Sequence, residues 1–320
     1  MKLYVKILAG FFLTFLIAMA GLAFIYTALP GIDPASKEQV VSSPRVIARG
    51  EYLVKNVMGC LGCHSERNWL LFSAPIKAGT TGQGGFVWKE DFGDVVAPNI
   101  TPAALEDWTD GEIIRAIVSG VDKEGEPLFP IMPYQYYNRT SQQDINAVVA
   151  YLRTLKPIDN YAPKTKLEFP LNLIVRTMPI PYTPQDSPNK KDTIEYGEYL
   201  AMIGGCLDCH TPMKDGQRIR GMEYAGGFAF PVPSGGVVRS ANITSDPETG
   251  LGYLTQDAFI GLFAQYRSPD ALTPVAKGEF NTVMPWTVFA RMTDEDLSAI
   301  YVYLKQIKPV ENDVKIFTKQ

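Results

Sequence analysis

Four cysteines and two histidines occur in this 320-residue chain, and all six fall in two copies of one pattern. The copies are Cys60-Leu61-Gly62-Cys63-His64 and Cys206-Leu207-Asp208-Cys209-His210. A Cys-x-x-Cys-His run carries two thiols and an imidazole at the spacing of c-type haem attachment. The thiol pairs Cys60/Cys63 and Cys206/Cys209 can each add to the two vinyl groups of one porphyrin and pin it covalently. His64 and His210 then stand beneath the irons as proximal axial ligands. The reading is two covalently bound haem c groups.

Other chemistries use the same residue types. A redox-active dithiol expects one Cys-x-x-Cys near a βαβ pattern, whereas this chain has two, each with His fixed after it. A zinc site needs four close donors, and the two pairs here lie about 140 residues apart, outside zinc-ribbon spacing. The sixth iron ligand has few candidates. No further Cys exists, so thiolate ligation is excluded, and with no third His a bis-His arrangement would need a second chain. Met/His ligation is the c-type option that raises the potential. Ten methionines are present, and a lone Met is usually core filler. Met132 and Met284 stand apart because their places are equivalent. Each precedes a Pro, lies far downstream of its His and comes shortly before a closing helix. Met-Pro favours extended backbone at the Met, which suits a loop laid across a haem face. Met58, Met202, Met213, Met222 and Met292 lack such pairing and read as packing.

The elements that must hold these residues are written twice. Gly50-Glu51-Tyr52-Leu53 returns as Gly197-Glu198-Tyr199-Leu200, and Asn99-Ile100-Thr101 as Asn242-Ile243-Thr244. Met132-Pro133, Tyr151-Leu152 and Lys156-Pro157 answer at one shared offset to Met284-Pro285, Tyr303-Leu304 and Lys308-Pro309. The chain therefore divides into an anchor or signal segment 1–32, a first domain 45–158, a connector 159–191 and a second domain 192–310. The connector holds Pro163, Pro170, Pro179, Pro181, Pro184 and Pro188, which predicts extended, stiff backbone.

Within each unit, Arg45 to Cys60 and Thr193 to Cys206 read as helices entering the motifs. Thr109-Asp110-Gly111-Glu112 is a capping box whose helix stops near Gly120. Ser141 opens another helix, with Ile145, Val148, Val149, Leu152 and Leu155 on one face. Thr293 opens its counterpart, with Leu297, Ile300, Tyr301, Leu304 and Ile307. No convincing strand alternation appears. The expected fold is all-α, with two small helical domains after one transmembrane helix. Their cores are thin, and a bound haem would fill them.

Lys2 and Lys6 precede an uncharged run from Ile7 to Leu29 that Pro30-Gly31 breaks. That length exceeds what a hydrocarbon layer of about 30 Å requires. The two lysines predict a cytoplasmic N-terminus, with everything after Pro30 outside. A cleaved signal peptide ending at Ala18-Met19-Ala20 is the competing reading, and it would leave Gly21 to Leu29 in water. Both readings put the soluble part in the periplasm of a bacterium, and the first makes the protein single-pass in the inner membrane. A net charge of −4 gives no reason to expect nucleic acid as a partner.

The chain resembles class I cytochrome c domains in tandem. The order of its segments is similar to the multihaem cytochrome subunits of membrane-bound alcohol, aldehyde and gluconate dehydrogenases. The phrases that carry the likeness are Pro98-Asn99-Ile100-Thr101-Pro102, Trp108-Thr109-Asp110, Met132-Pro133-Tyr134, Ala150-Tyr151-Leu152-Arg153-Thr154-Leu155, Ala241-Asn242-Ile243-Thr244 and Thr249-Gly250-Leu251-Gly252. The likeness spans about residues 45–310. It implies His/Met haems, crossing helices at both ends of each domain, and electron transfer without substrate chemistry. Those subunits typically carry three CxxCH motifs, and this chain has two.

The expectation is an electron-transfer protein rather than an enzyme. It would relay single electrons between a donor and an acceptor among redox partners such as a quinol-oxidising complex, a terminal oxidase or a periplasmic dehydrogenase. The alternative is a di-haem peroxidase, which needs an open axial position and a distal acid or base. Beside the ligands, Asn99, Asn242 and Arg67 are candidates for contacts near a haem propionate, against plain turn chemistry or a solvated side chain. Trp69, Trp108 and Trp286 are candidates for pocket walls or core.

Overall fold

The computed structural model describes residues 2–319; Met1, the first residue of the expected anchor, lies outside them. Helix α1 (Lys2–Ala28) is one unbroken helix, and Leu3–Ala28 is long and apolar enough to cross a membrane, with none of its most apolar window buried against the rest of the chain. A signal sequence would pass the same test.

In the first repeat, Ser43 caps α2 (Pro44–Tyr52), and Pro44 occupies the first turn, where its missing N–H costs nothing. The helix continues as one wide π-turn over Leu53–Val57. It does not run into the motif as the sequence suggests. Gly59 adopts a left-handed conformation (φ 62°) and re-aims the chain into α3 (Cys60–Cys63). Then follow α4 (Pro102–Leu105), α5 (Asp110–Ser119), α6 (Tyr134–Tyr137) and α7 (Gln142–Leu152). The Thr109/Glu112 capping box forms as read, and α5 stops at left-handed Gly120. Ile145, Val148, Val149, Leu152 and Leu155 are all buried.

The connector departs from expectation. It contains α8 (Leu171–Ile174) and a 3-10 turn, Val175–Thr177. Pro170 and Pro179 bracket an eight-residue stretch without proline, and a helical turn fits between them. The second repeat is built on α9 (Thr193–Ile203), α10 (Cys206–Cys209), α11 (Gln256–Ala264), α12 (Trp286–Phe289) and α13 (Asp294–Leu304). Gly205, left-handed at φ 72°, again breaks the chain just before the motif.

The fold is mainly helical but not all-α, which corrects the expected class. The hairpin β1 (Val87–Glu90) and β2 (Gly93–Val96) is extended by β3 (Lys166–Leu167) from the connector. Strands β4 (Met213–Lys214) and β5 (Gln217–Arg218) form a small hairpin. The hairpin β6 (Ala229–Pro231) and β7 (Val237–Arg239) is extended by β8 (Phe317–Thr318) from the C-terminal tail. Strands of two to four residues are too short to print an alternation in sequence. The matched sheets also show that the repeat continues past each closing helix.

Each repeat is pinned where its first and last helices cross. A Cβ on Gly50 would lie 1.8 Å from the Ala147 carbonyl oxygen, and one on Gly197 would lie 1.9 Å from that of Ala299. Only glycine allows backbones so close.

The two repeats are locked by a reciprocal exchange. The Tyr52 hydroxyl donates to Asp296 Oδ2 at 2.6 Å, and the Tyr199 hydroxyl donates to Asp144 Oδ2 at 2.7 Å. Each tyrosine oxygen also accepts from the backbone N–H of the other repeat's helix cap, Thr293 and Ser141. Burial, reinforced by the adjacent carboxylate, raises both phenols above their ordinary range, so both remain donors. The match has one break in symmetry. Asp144 also holds Arg49 through two hydrogen bonds, whereas the position equivalent to Arg49 in the second repeat is Tyr196. Tyr52→Phe should therefore lower the unfolding free energy by about 1.5–3 kcal/mol, the range for a hydrogen bond to a charged group. Tyr199→Phe should cost less, because Arg49 still holds Asp144. Guanidinium denaturation of both variants checks the order, and equal costs would contradict it.

Candidate functional site

Both motif histidines are buried and held alike. His64 Nδ1 is 2.7 Å from the Pro98 carbonyl oxygen, and His210 Nδ1 is 2.7 Å from that of Ala241. A carbonyl only accepts, so each bond places the proton on Nδ1 and leaves Nε2 with a free lone pair. Burial lowers the pKa of both rings, so each is a neutral imidazole. The histidine carbonyls are fixed as well, accepting from the N–H of Gly84 and Gly226. Desolvation pushes the thiols of Cys60 and Cys206 up to about 12, so both are un-ionised at neutral pH.

The loops that carry Pro98 and Ala241 are clamped by the asparagines that follow. Asn99 Oδ1 accepts from the N–H and hydroxyl of Thr101, and its amide donates to the carbonyls of Ile158 and Asn160. Asn242 repeats this with Thr244, donating to Val310 and to the Thr249 hydroxyl. Both asparagines spend their side chains on backbone and hydroxyl partners, so turn chemistry describes them and a propionate contact does not. Arg67 is partly occupied, through Nε and Nη2. Its guanidinium donates to the carbonyls of Ala74 and Ser73 and lies over the Trp69 ring.

In the second repeat an apolar cavity of about 290 Å³ is bounded by Cys206, Cys209, His210 and Met284. Trp286, Phe263 and Phe259 wall it with Leu200, Ile300 and Leu304 from the crossing helices. Val57 of the first repeat closes part of it. Two thiols, a lone pair on imidazole and a thioether around an apolar hollow fit haem c in every donor. The first repeat reproduces the local geometry. Tyr134 N–H bonds to the Met132 carbonyl at 2.7 Å, as Trp286 N–H bonds to that of Met284 at 2.8 Å. Met132, Cys60 and Trp108 pack against the hydrophobic core. Among the described residues no three His, Cys, Asp or Glu side chains are grouped to hold a metal ion, so the four thiols do not gather into a zinc centre.

Several residues of the site were not singled out in the sequence. Buried Asn281 accepts from Ser73 N–H and donates to the carbonyls of Trp69 and Leu71, while the Ser73 hydroxyl donates to the Met284 carbonyl at 2.8 Å. A loop of the first repeat thus braces the methionine loop of the second. Tyr137 lies between the motifs. Its hydroxyl donates to the Met58 carbonyl, and Cys60, Cys63 and Cys209 are all near enough to raise its pKa, after the larger effect of burial. Burial raises the pKa of Cys209, with smaller contributions from Asp208, Cys206 and Cys63. Beside them, the Tyr136 hydroxyl donates to Asp208 within the second motif. The two motifs are neighbours.

No family model matches the chain. Three curated proteins show what it is similar to. The fructose dehydrogenase cytochrome subunit of Gluconobacter japonicus is 29% identical over 280 residues, covering 82% of this chain and 52% of that protein. The alcohol dehydrogenase (quinone) cytochrome c subunit of Gluconacetobacter polyoxogenes is 28% identical over 283 residues, covering 83% and 56%. The diheme cytochrome c-type protein of Cereibacter sphaeroides is 29% identical over 268 residues, covering 79% and 83%. The chain therefore spans about half the length of the two dehydrogenase subunits and most of the third protein.

Intact-protein mass spectrometry checks the fit of the donor set. The chain expressed with haem c maturation should carry two covalent haems. The double replacement Cys206→Ala, Cys209→Ala should carry one, retained on the peptide with Cys60 and Cys63. An unmodified chain mass would contradict the attachment chemistry.

Proposed function

We propose that this chain, similar to the cytochrome c subunits of membrane-bound dehydrogenases, is a membrane-anchored di-haem cytochrome c. It passes single electrons between a donor and an acceptor on the outer side of the membrane that its N-terminal helix crosses. Cys60, Cys63 and His64 hold one haem with Met132 as sixth ligand, and Cys206, Cys209 and His210 hold the other with Met284. The chain divides into an anchor 1–32, a haem domain 45–158, a connector 159–191 and a haem domain 192–310. Strands β3 and β8 belong by their pairing to the first and second domain. The orientation is cytoplasmic at the N-terminus and periplasmic for the rest, from Lys2 and Lys6 ahead of the span.

The observation that carries this reading is the twin histidine geometry at neighbouring motifs. A haem iron supplies reversible one-electron chemistry, with a potential set by its axial ligands and burial. The protein's part is to keep each imidazole neutral, oriented and out of water, and this is what the Pro98 and Ala241 carbonyls and the surrounding burial do. Met-Pro turns fixed by backbone hydrogen bonds hold the thioethers in place, and the Ser73–Asn281 brace steadies the second of them. With Met132 and Met284 as sixth ligands neither iron would keep an open axial place, which suits relay rather than turnover. A membrane tether raises the local concentration of partners in the same bilayer, which lets transient contacts suffice. A membrane dehydrogenase as donor and a terminal oxidase as acceptor are the partners that fit this place in a chain.

Potentiometric titration with visible spectroscopy tests the ligand assignment. The full chain should show two high-potential haems, both refusing carbon monoxide when reduced. Met132→Ala should lower the potential of one haem and Met284→Ala that of the other, each opening its own site to the gas. A haem that binds carbon monoxide in the unmodified chain would mean an open site and favour a peroxidase-type enzyme.

A further inference from the structure

The anchor's far end is fastened to the connector by one buried arginine. Arg176 is 8% exposed, although it is an arginine on a surface segment. Its guanidinium lies over the Tyr26 ring, 5.6 Å from the centroid. It donates to the Leu29 carbonyl at 3.1 Å and pairs with Glu126 Oε2 at 2.6 Å. The 27 residues of α1 make a rod about 40 Å long at 1.5 Å per residue, against a hydrocarbon layer of about 30 Å. A span that begins in the lipid near its N-terminus therefore brings its last turn, with Tyr26, out at the headgroup level. Tyrosine is enriched at that depth, and long arginine side chains reach for it. The segment held by Arg176 must lie at the same level.

That segment exposes apolar side chains. Phe169, just before α8, is 77% exposed and Ile174, its last residue, 46% exposed, while Val175 and Arg176 after them are buried. A single exposed hydrophobe needs no explanation. Two on a turn that Arg176 ties to the end of α1 call for an apolar neighbour, which a bilayer crossed by α1 would supply.

We infer that the Phe169–Ile174 turn dips into the headgroup boundary of the bilayer beside the anchor, a second membrane contact that fixes the tilt of the soluble part. The inference rests on α1 being an uncleaved span. Glu126 belongs to the loop that carries Met132, so the contact also turns the first repeat's methionine loop toward the membrane. With two points of attachment the soluble part no longer swivels freely about Pro30.

Spin labels on the full chain in vesicles of phosphatidylethanolamine and phosphatidylglycerol test this. Three separate variants, Phe15→Cys, Ile174→Cys and Tyr253→Cys, carry a nitroxide, and power saturation compares collision with oxygen and with a water-soluble nickel chelate. The expected result is that labels at 15 and 174 both collide with the nickel chelate several-fold less than the label at 253. A label at 15 that is shielded with a label at 174 as accessible as that at 253 overturns the second contact and leaves the anchor standing. A label at 15 open to the chelate removes the span and the inference with it. Shielding at 174 that appears only when a partner protein is added would make the turn a protein contact and also overturns the proposal.

Discussion

The exchange of tyrosine hydroxyls between the repeats sets the geometry on which everything else depends. Each repeat offers a buried carboxylate at the start of its closing helix, Asp144 or Asp296, and each takes the hydroxyl of the other's Tyr199 or Tyr52. A buried carboxylate without donors is costly, so the repeats cannot drift apart without stripping Asp296 of the Tyr52 hydroxyl and leaving Asp144 to Arg49 alone. The tyrosines sit on the helices that enter the motifs, so the lock on the carboxylates is also a lock on the motifs. Tyr137 bonds to the Met58 carbonyl ahead of the first motif, and its neighbour Tyr136 bonds to Asp208 within the second.

Inside each repeat the constraints are local and repeated. A glycine crossing brings the first and last helices to backbone contact, and a left-handed glycine turns the chain into the motif. A carbonyl then fixes the histidine proton. These devices share a purpose, which is to hold an imidazole with one free lone pair at the edge of an apolar hollow. The second hollow is not made by its own repeat alone, because Val57 lines it and Ser73 braces its methionine loop. The two sites therefore behave as one unit of structure, although the sequence writes them as two.

The residues of the proposed site stand out in the sequence before the fold does. Covalent chemistry needs its residues adjacent in the chain, so Cys-x-x-Cys-His can be read directly, and repetition singled out Met132 and Met284 among ten methionines. The repeat also displayed Tyr52 and Tyr199, but their partners lie across an interface that no local pattern announces. The short strands were invisible because two to four residues cannot establish an alternation, and β3 and β8 pair with hairpins more than seventy residues away. The helical turn in the connector was hidden by the prolines around it. Asn99 and Asn242 looked like groups awaiting a ligand, because a sequence shows a side chain's capacity for hydrogen bonds and not the partners that already use it.

The central claim is that two haem sites are held side by side as a single relay. Circular dichroism of the full chain in the Soret band tests it most directly, because excitonic coupling between porphyrins falls away steeply with separation. The account predicts a two-signed couplet in the unmodified chain, lost when either motif is disabled by replacing its cysteines with alanine. A spectrum equal to the sum of the two single-site variants would mean the haems do not sense each other, and would contradict it.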